Sequence, residues 1–313
     1  MSSEFRGCSE ELRHALDSPV PSIRTPFTAD GEVDYDGVRA QVDFAIAGKA
    51  RTLMVTWGDS LFSVQTDDQV AELVKVVVEH SNGRAKVIAA DNSWATPKAV
   101  AFAEYCKQIG ADLLMLLPPD WAGSSEPEQL VQHFNAVGEH MPTMIVTAHF
   151  TMMGPRPPGR QMEVLRALYE GAPNLVAVKD DILGDAGNRM CMMVHDRWAV
   201  VSGGFMANHT LQVPYGVDGY LCLIMSYRPE IAWEYFNAVK AGDYEKSWRM
   251  IREIEYPLRD LLTSFGVSMN SAWHGLSELF GISGRYLPLP YYTLNDEQME
   301  ILAQGARDIG FLR

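Results

Sequence analysis

The sequence is short of several features that would assign it to a specialised class of protein. Its 313 residues contain only four cysteines, and no two of them form a CxxC pair. Paired cysteines are typical of disulfide-bonded and zinc-binding proteins, so we expect reduced thiols in a cytoplasmic protein. No segment approaches the roughly 18 consecutive apolar residues of a transmembrane helix, and residues 1–18 lack the apolar core of a secretory signal. We therefore expect no association with a membrane.

Positive charge is also scarce. Lysine and arginine together number 26 against 40 aspartate and glutamate residues, which gives a formal net charge of −14 at pH 7. Binding to a nucleic acid backbone or to an anionic membrane surface is therefore not expected. A small acidic substrate is still compatible with this composition, because one local lysine or a nest of backbone N–H groups outweighs a diffuse surface charge.

Three common motifs are missing as well. There is no GxGxxG after the first apolar segment, no GxSxG serine, and no HxH or HExxH spacing among the eight histidines. These absences argue against a dinucleotide-binding fold, a serine hydrolase, and a zinc or iron site.

What the sequence does contain is a regular alternation of short apolar segments and helical segments. Hydrophobic residues make up 47% of the chain, enough for a sizeable core. Eight apolar segments are continuous rather than alternating, which is typical of parallel strands covered by helices. They comprise residues 20–23, 52–55, 86–90, 112–117, 143–148, 175–179, 198–202 and 219–224.

Segments with helical periodicity lie between most of these strands, and several begin with a capping residue, as at Asp34, Thr66 and Thr96. Eight strand–helix units in about 200 residues predict a (β/α)8 barrel, the TIM-barrel fold. A doubly wound open sheet is the alternative, but it usually has fewer strands.

The chain is predicted to divide into three parts. Residues 1–18 contain a short leading helix that starts near Ser9, and residues 19–228 form the barrel. Residues 229–313 are mostly helical, and we interpret them as an appendage packed on the barrel rather than as an independent domain.

The stretch PNLVAVKDD, residues 173–181, places a lysine at the end of a buried strand. Lysine is rarely buried without a partner, because removing an ammonium group from water is costly. In a barrel the active site lies at the C-terminal ends of the strands, which directs Lys179 into the mouth. A desolvated lysine there can act as a nucleophile that forms a Schiff base with a carbonyl. The alternative is a structural lysine that pairs with Asp180 or Asp181.

Several further motifs follow one another in an order and spacing that single matches would not show. They are TPFTADGEVDYDGV (25–38), NLVAVKDDILGD (174–185), VVSGG (200–204), GVDGYLCLIMSYRPE (216–230), AGDYEKSW (241–248) and GISGRYLPLPYYTLNDEQMEIL (281–302). Together they resemble the dihydrodipicolinate synthase / N-acetylneuraminate lyase family, from Pro21 to Leu312. The resemblance implies a barrel with C-terminal helices, class I aldolase-type chemistry through Lys179, no metal or other cofactor, and a homo-oligomer, either a dimer or a tetramer.

The first departure from the family lies after strand two. The family carries a GTTGE-like loop there, which holds the carboxylate of a 2-oxo acid. In VTWGDSLFS, Thr56, Gly58 and Asp59 match this loop, but Trp57 replaces the second hydroxyl residue. A tryptophan there either closes the pocket or stacks on a flat substrate. We predict all four as substrate-binding residues, with core or interface packing as the alternative for Trp57.

The second departure concerns a catalytic tyrosine that the family places at the end of strand five. Counting from Pro142, that position falls on Val146. Thr147 and His149 are the nearby side chains that can exchange a proton, and His149 has the better pKa for the task. The alternatives are an ordinary strand threonine and a loop histidine with its own hydrogen bonds.

A third departure is Pro119-Asp120-Trp121, where synthase-like members carry an interface tyrosine. With Trp57, Trp121 and Trp94 near the mouth, the pocket would be aromatic, although packing explains each tryptophan as well.

Two further candidates lie at other strand ends. Gly203 and Gly204 follow strand seven, where barrels often bind phosphate or carboxylate, although a tight turn also explains them. Arg24 follows strand one and is suitably placed to meet an acidic substrate, but a surface salt bridge is the simpler interpretation.

The main hypothesis is a Schiff-base lyase, an aldolase or a hydro-lyase, that acts through Lys179 on a 2-oxo acid such as pyruvate or a deoxy sugar acid. The absent tyrosines argue against the lysine-biosynthetic synthase activity itself. An alternative is a weakly active or inactive family member that binds a small carbonyl or carboxylate ligand or acts as a scaffold. A metal-dependent barrel aldolase is a third hypothesis.

Overall fold

The barrel is closed by a first strand that is divided in two. The computed structural model describes residues 7–118, 125–148 and 160–313. In it, β1 (Pro19–Val20) pairs with β9 (Gly219–Leu221), and β2 (Ser22–Ile23) pairs with β3 (Thr52–Val55). Since β1 and β2 are consecutive and separated by Pro21 alone, they act as one strand that joins the two ends of the sheet.

The remaining strands run in parallel between these ends, in the order β9-β8-β7-β6-β5-β4-β3. With β1 and β2 counted as one strand, the sheet has eight strands, which confirms the predicted (β/α)8 barrel. The alternative, a doubly wound open sheet, is wrong. Every predicted apolar segment contains a strand, and nearly all strand residues are buried because side chains fill the barrel on one face and helices cover the other. The strands not yet located are β4 (Lys86–Ala90), β5 (Leu113–Leu116), β6 (Thr143–Val146), β7 (Leu175–Asp180) and β8 (Ala199–Ser202).

Helices follow the strands along the chain and are capped largely as the sequence predicts. In the described residues they are α1 (Glu10–Leu16), α2 (Tyr35–Ala47), α3 (Asp67–Ser81), α4 (Thr96–Ile109), α5 (Pro127–Gly138), α6 (Arg160–Gly171), α7 (Gly184–Val194) and α8 (Met206–Gln212). Asp34 caps α2, and Thr66 forms a capping box at α3. The predicted cap at Thr96 is wrong: Ala95 is the N-cap, and the Thr96 hydroxyl is hydrogen-bonded to His133 Nδ1 instead. The contact with His133 of α5 occupies the hydroxyl that would otherwise have capped α4.

The C-terminal extension is helical, as predicted. It consists of α9 (Pro229–Lys240), α10 (Tyr244–Met250), a π-helical turn (Ile251–Glu255), α11 (Tyr256–Thr263), α12 (Met269–Leu279) and α13 (Asp296–Asp308). Helix α12 is joined to the end of the barrel through Tyr227, whose hydroxyl donates to the carbonyl oxygen of Trp273 (2.9 Å). The two rings are also stacked, with centroids 5.5 Å apart. This contact places α12 beside the C-terminal end of the first and last strands.

Candidate active site

The pleat and the register of the strands decide which side chains enter the barrel. Asp180 points outward, because its carboxylate accepts from Gln212 of the outer helix α8. Lys179 therefore points into the barrel, and its register partner Val146 on β6 shares that face. The same alternation, followed around the sheet, places Arg24 and Thr56 on the interior side, directly after β2 and β3.

Lys179 lies at the mouth and is held by a carboxylate from its own strand end. The residue is only 8% exposed. Its Nζ donates to both oxygens of Asp181, at 2.8 Å and 2.6 Å. The pairing with an adjacent aspartate that we considered as an alternative is thus present, and Asp181 rather than Asp180 is the partner. Because side chains alternate along a strand, residues 179 and 181 share a face. This two-residue alternation is the sequence signal that could have indicated Asp181 as the partner.

Asp180 and Thr147 form a separate network behind the lysine. The Thr147 hydroxyl donates to Asp180 Oδ1 (3.1 Å) and accepts from the backbone N–H groups of Asp181 (2.8 Å) and Ile182 (3.2 Å). Burial raises the pKa of Asp180, an effect that hydrogen bonds from Gln212, Ile182 and Thr147 oppose. This network fixes the chain segment that carries Asp181.

Val146 and Thr147 lie at the end of β6, which is the fifth strand of the sequence-based prediction. Val146 lies in register with Lys179, so the position that we predict for the family tyrosine is apolar and adjacent to the lysine. Thr147 is fully buried, and its hydroxyl is occupied by the network just described. His149, like Trp121, lies outside the described residues.

The loop after β3 is held by hydrogen bonds to its own residues. The Thr56 hydroxyl accepts from the backbone N–H of Asp59 (3.1 Å), and the Thr56 backbone N–H donates to Ser60 Oγ (3.0 Å). Thr56 is 5% exposed, whereas Trp57 is 37% exposed and Gly58 is exposed too. The structure thus brings Thr56 to the barrel interior and leaves Trp57 and Gly58 at the rim.

Arg24 is not part of a surface salt bridge, because it is only 1% exposed. Its Nη2 lies 3.6 Å from Asp59 Oδ1, its Nη1 lies 3.4 Å from Asn270 Oδ1, and its guanidinium stacks 4.9 Å from the centroid of Trp273. Within the part of the chain that the structure describes, neither Nε nor Nη2 has a hydrogen-bond acceptor. Arg24 is thus a buried cation with two donors still open.

Helix α12 contributes residues to this region that sequence reasoning missed. His274 is 1% exposed, and neither ring nitrogen has a hydrogen-bond partner among the described residues. Burial and the nearby Arg24 charge lower its pKa to about 3, so the ring is neutral. Its only sequence signal was a polar residue on the buried face of a helix.

Gly203 has a steric role beside the lysine. A Cβ at this position would collide with the carboxylate of Asp181, so a glycine is needed for Asp181 to lie where it does. Gly204 has a positive φ of 61°, which any other residue would adopt with strain. Gly203 therefore affects the position of the Asp181 carboxylate beside the lysine, and Gly204 affects the conformation of the turn that follows.

A small cavity lies between the ends of β8 and β9 and the C-terminal helices. Phe205, Leu223, Glu255 and Trp273 are among its lining residues. Glu255, from the π-helical turn, accepts from the backbone N–H groups of Met206 and Ala207. Burial raises its pKa to about 7, against the effect of these hydrogen bonds.

Comparison with known proteins identifies the family. A model of the dihydrodipicolinate synthetase family matches residues 16–307, and the chain belongs to this family. It is a family of Schiff-base lyases that act on pyruvate and deoxy sugar acids, so the protein is an enzyme of the lyase class.

Two relatives represent the range of similar proteins. The probable 5-dehydro-4-deoxyglucarate dehydratase of Bradyrhizobium diazoefficiens is 28% identical over 313 residues, which cover 97% of this chain and 96% of that protein. The 4-hydroxy-tetrahydrodipicolinate synthase of Methanocaldococcus jannaschii is 25% identical over 298 residues, which cover 93% of this chain and 98% of that protein.

Solved structures show the same fold. The N-acetylneuraminate lyase from Fusobacterium nucleatum matches with a TM-score of 0.81 at 15% identity, covering 96% of this chain and 100% of that chain. A putative dihydrodipicolinate synthetase from Pseudomonas aeruginosa matches with a TM-score of 0.77 at 20% identity, covering 93% and 99%. Both likenesses establish the barrel with its C-terminal helices.

The described part of the chain shows neither a membrane-spanning helix nor a group of side chains suited to a metal ion. Across residues 7–118, 125–148 and 160–313, no helix has the length and apolar character of a membrane span. Over the same residues, no three histidine, cysteine, aspartate or glutamate side chains converge in a way that suits a metal ion.

Proposed function

We propose that the protein is an aldolase or hydro-lyase that forms a Schiff base between Lys179 and a 2-oxo acid. The observation that carries the proposal is the position of Lys179, which points into the barrel at the C-terminal end of β7. Active sites of this fold are built at that end of the barrel.

The proposed chemistry follows from an amine held against a ketone. Nζ attacks the carbonyl carbon, the carbonyl oxygen leaves as water, and the resulting iminium withdraws electrons from the neighbouring carbon. In a dehydration, that carbon loses a proton and the hydroxyl group on the next carbon then leaves. In an aldol cleavage, the hydroxyl group on the next carbon loses its proton instead, the bond between the two carbons breaks, and the iminium accepts the electron pair. The same intermediate therefore serves dehydration and aldol cleavage.

Pyruvate or a deoxy sugar acid is the proposed substrate, and the relatives support this choice. One relative is named for a deoxyglucarate dehydratase, and the other for a synthase of a tetrahydrodipicolinate. The interface tyrosine of synthase-like members is replaced by Pro119-Asp120-Trp121 in this sequence, which favours the sugar acid.

The substrate carboxylate is proposed to bind on the side of the mouth opposite Lys179. The exposed backbone around Gly58 is available there, whereas the Thr56 hydroxyl already accepts from Asp59. Arg24 adds a buried positive charge with open donors next to Asp59. Trp57 would flank the substrate from the rim. We propose this carboxylate role for the loop 56–59, supported by Arg24.

The remaining predicted residues are proposed to act around the lysine. Gly203 leaves room for the Asp181 carboxylate, and Gly204, which has open space beside it, is proposed to border the substrate. Thr147 positions the segment that carries Asp181 through its backbone hydrogen bonds. His149, which lies outside the described residues, stays a candidate for proton relay.

We also propose a homo-oligomer, a dimer or a tetramer, located in the cytoplasm. Exposed aromatic side chains on α10 and α11 support assembly, with Trp248 59% and Tyr256 47% exposed. Three of the four free cysteines are buried, which suits a reducing compartment. Light scattering on the purified protein measures the mass of the assembly, and a monomer would contradict the proposal.

Borohydride reduction tests the enzyme assignment. The protein is incubated with pyruvate and with longer 2-oxo acids, reduced, and examined by intact mass and peptide mapping. We expect a covalent adduct on the peptide that contains Lys179 in the wild type and none in K179M. No adduct with any of these acids would contradict the proposal and favour a protein that binds a ligand without turnover.

A further inference from the structure

We propose that Asp181 is the acid–base residue of this site, in place of the tyrosine whose position Val146 occupies. The inference rests on the proposed Schiff-base function and names the group that moves its protons. Both carboxylate oxygens of Asp181 lie within hydrogen-bond reach of the reacting nitrogen, at 2.8 Å and 2.6 Å from Nζ.

Asp181 is also partly exposed to solvent. Its side chain is 24% exposed, more than the 10% of the Lys179 side chain. It follows Lys179 by two positions on the same face of the chain, so a substrate bound to Nζ would lie next to its carboxylate. A base must reach the proton that it abstracts, and this position satisfies that requirement.

The surrounding residues hold Asp181 in place. The Thr147 hydroxyl accepts from the Asp181 backbone N–H (2.8 Å), and Gly203 leaves the space that the carboxylate fills. The position of the Asp181 carboxylate is thus determined by a hydrogen bond at its backbone N–H and by the space that Gly203 leaves.

The other acid–base candidates among the described residues contact groups other than Lys179 Nζ. Asp180 points away from the barrel and accepts from Gln212 and Thr147. Asp59 lies by Arg24, and Glu255 accepts from the first turn of α8. Each has its main partner away from Nζ, whereas Asp181 contacts it directly.

The proposed proton transfers balance. The Lys179 ammonium gives a proton to the Asp181 carboxylate, and the neutral Nζ attacks the ketone carbon. Nζ passes its second proton to the former carbonyl oxygen, and Asp181 returns the first proton to the same oxygen, which leaves as water. The iminium that remains faces an ionised Asp181. Asp181 then takes a proton from the carbon beside the iminium, which gives the enamine, and it can return that proton later.

Exchange of the pyruvate methyl protons with solvent deuterium, followed by NMR, measures this last transfer directly. We expect D181N to exchange about 10²- to 10⁴-fold more slowly than the wild type, even after correction for the fraction of adduct trapped by borohydride. D181S removes the carboxylate with a smaller side chain, and it serves if D181N is poorly folded by circular dichroism. Both variants are expected to lose exchange.

Two further variants sharpen the result. V146Y in the D181N background restores a proton-transfer group at the register neighbour of Lys179, and we expect at least tenfold recovery of exchange. D185N removes an exposed carboxylate that pairs with Arg189 on α7, and it is expected to behave as the wild type.

The outcomes separate the two proposals. Adduct formation in the wild type, together with unchanged exchange in both D181N and D181S, would overturn the role of Asp181 and leave the Schiff-base function standing. Absence of any adduct in the wild type would overturn both.

Discussion

Two cationic side chains at the C-terminal end of the barrel differ in how their charge is balanced. Lys179 has a carboxylate partner two residues along its own strand, with both oxygens within 2.8 Å of Nζ. Arg24 has its nearest carboxylate, Asp59, at 3.6 Å in a neighbouring loop. It also retains two nitrogens without an acceptor among the described residues.

The difference indicates two kinds of function. A lysine beside a carboxylate can hand over its proton and become a nucleophile, whereas a guanidinium stays charged at any pH that a protein meets. A buried charge that is only partly paired is costly, so Arg24 is suited to an anion that arrives with the substrate. We therefore propose bond formation for Lys179 and substrate binding for Arg24.

A matched pair of substitutions, K179M and R24M, tests the two proposed roles and has the largest expected effect on adduct formation. K179M should abolish the borohydride-trapped adduct, because it removes the nucleophile. R24M should still form the adduct but require roughly 10- to 100-fold more pyruvate for half-maximal trapping, since hydrogen bonds to charged groups contribute about 1.5–3 kcal/mol. Trapping measured across a pyruvate titration checks both.

The control for R24M is R39M, which breaks an exposed pair with Asp36 on α2 and should leave the titration unchanged. Equal titration curves for R24M and the wild type would show that Arg24 is a structural residue only.

A smaller effect concerns stability near the same end of the barrel. Burial raises the pKa of Glu255 to about 7, so the folded state holds a proton that the unfolded chain releases from about pH 4.5 upward. Wild-type stability should therefore fall between pH 4.5 and 7. E255Q lacks this titration and should gain about 3 kcal/mol relative to the wild type over that range.

Thermal unfolding of both proteins at pH 5 and pH 8 measures this difference. Asp91 serves as a reference, because burial raises its pKa to about 7 as well and it is retained in both proteins. A constant difference in unfolding temperature between the two pH values would contradict the expected titration.

The smallest effect tests whether Asp59 competes for Arg24. D59N removes the nearest anion while keeping the backbone N–H that donates to Thr56. We expect pyruvate to bind up to about fivefold more tightly, because pairs with a partly exposed member contribute only about 0.2–1 kcal/mol. The titration used for R24M applies, and weaker binding would instead assign Asp59 to substrate contact.

Much of the barrel was predictable because each strand is a local apolar segment bounded by helix caps. The break of the first strand at Pro21 was not predicted, since it depends on which neighbour each half pairs with. The cap at Thr96 was wrong because the Thr96 hydroxyl is hydrogen-bonded to His133, a tertiary contact 37 residues away. Lys179 was located correctly at a strand end, since the apolar run before it fixes that position.

The sequence alone determined the alternation of strands and helices and the lysine that ends the sixth apolar segment. These depend on neighbouring residues, whereas the choice between Asp180 and Asp181 as the partner of the lysine was left open and only the structure decided it. Only the tertiary structure decided that Arg24 is buried. Asn270 and Trp273, which cover it, follow it by more than 240 residues, and only the folded chain brings a helix from the C-terminal extension over the end of the first strand.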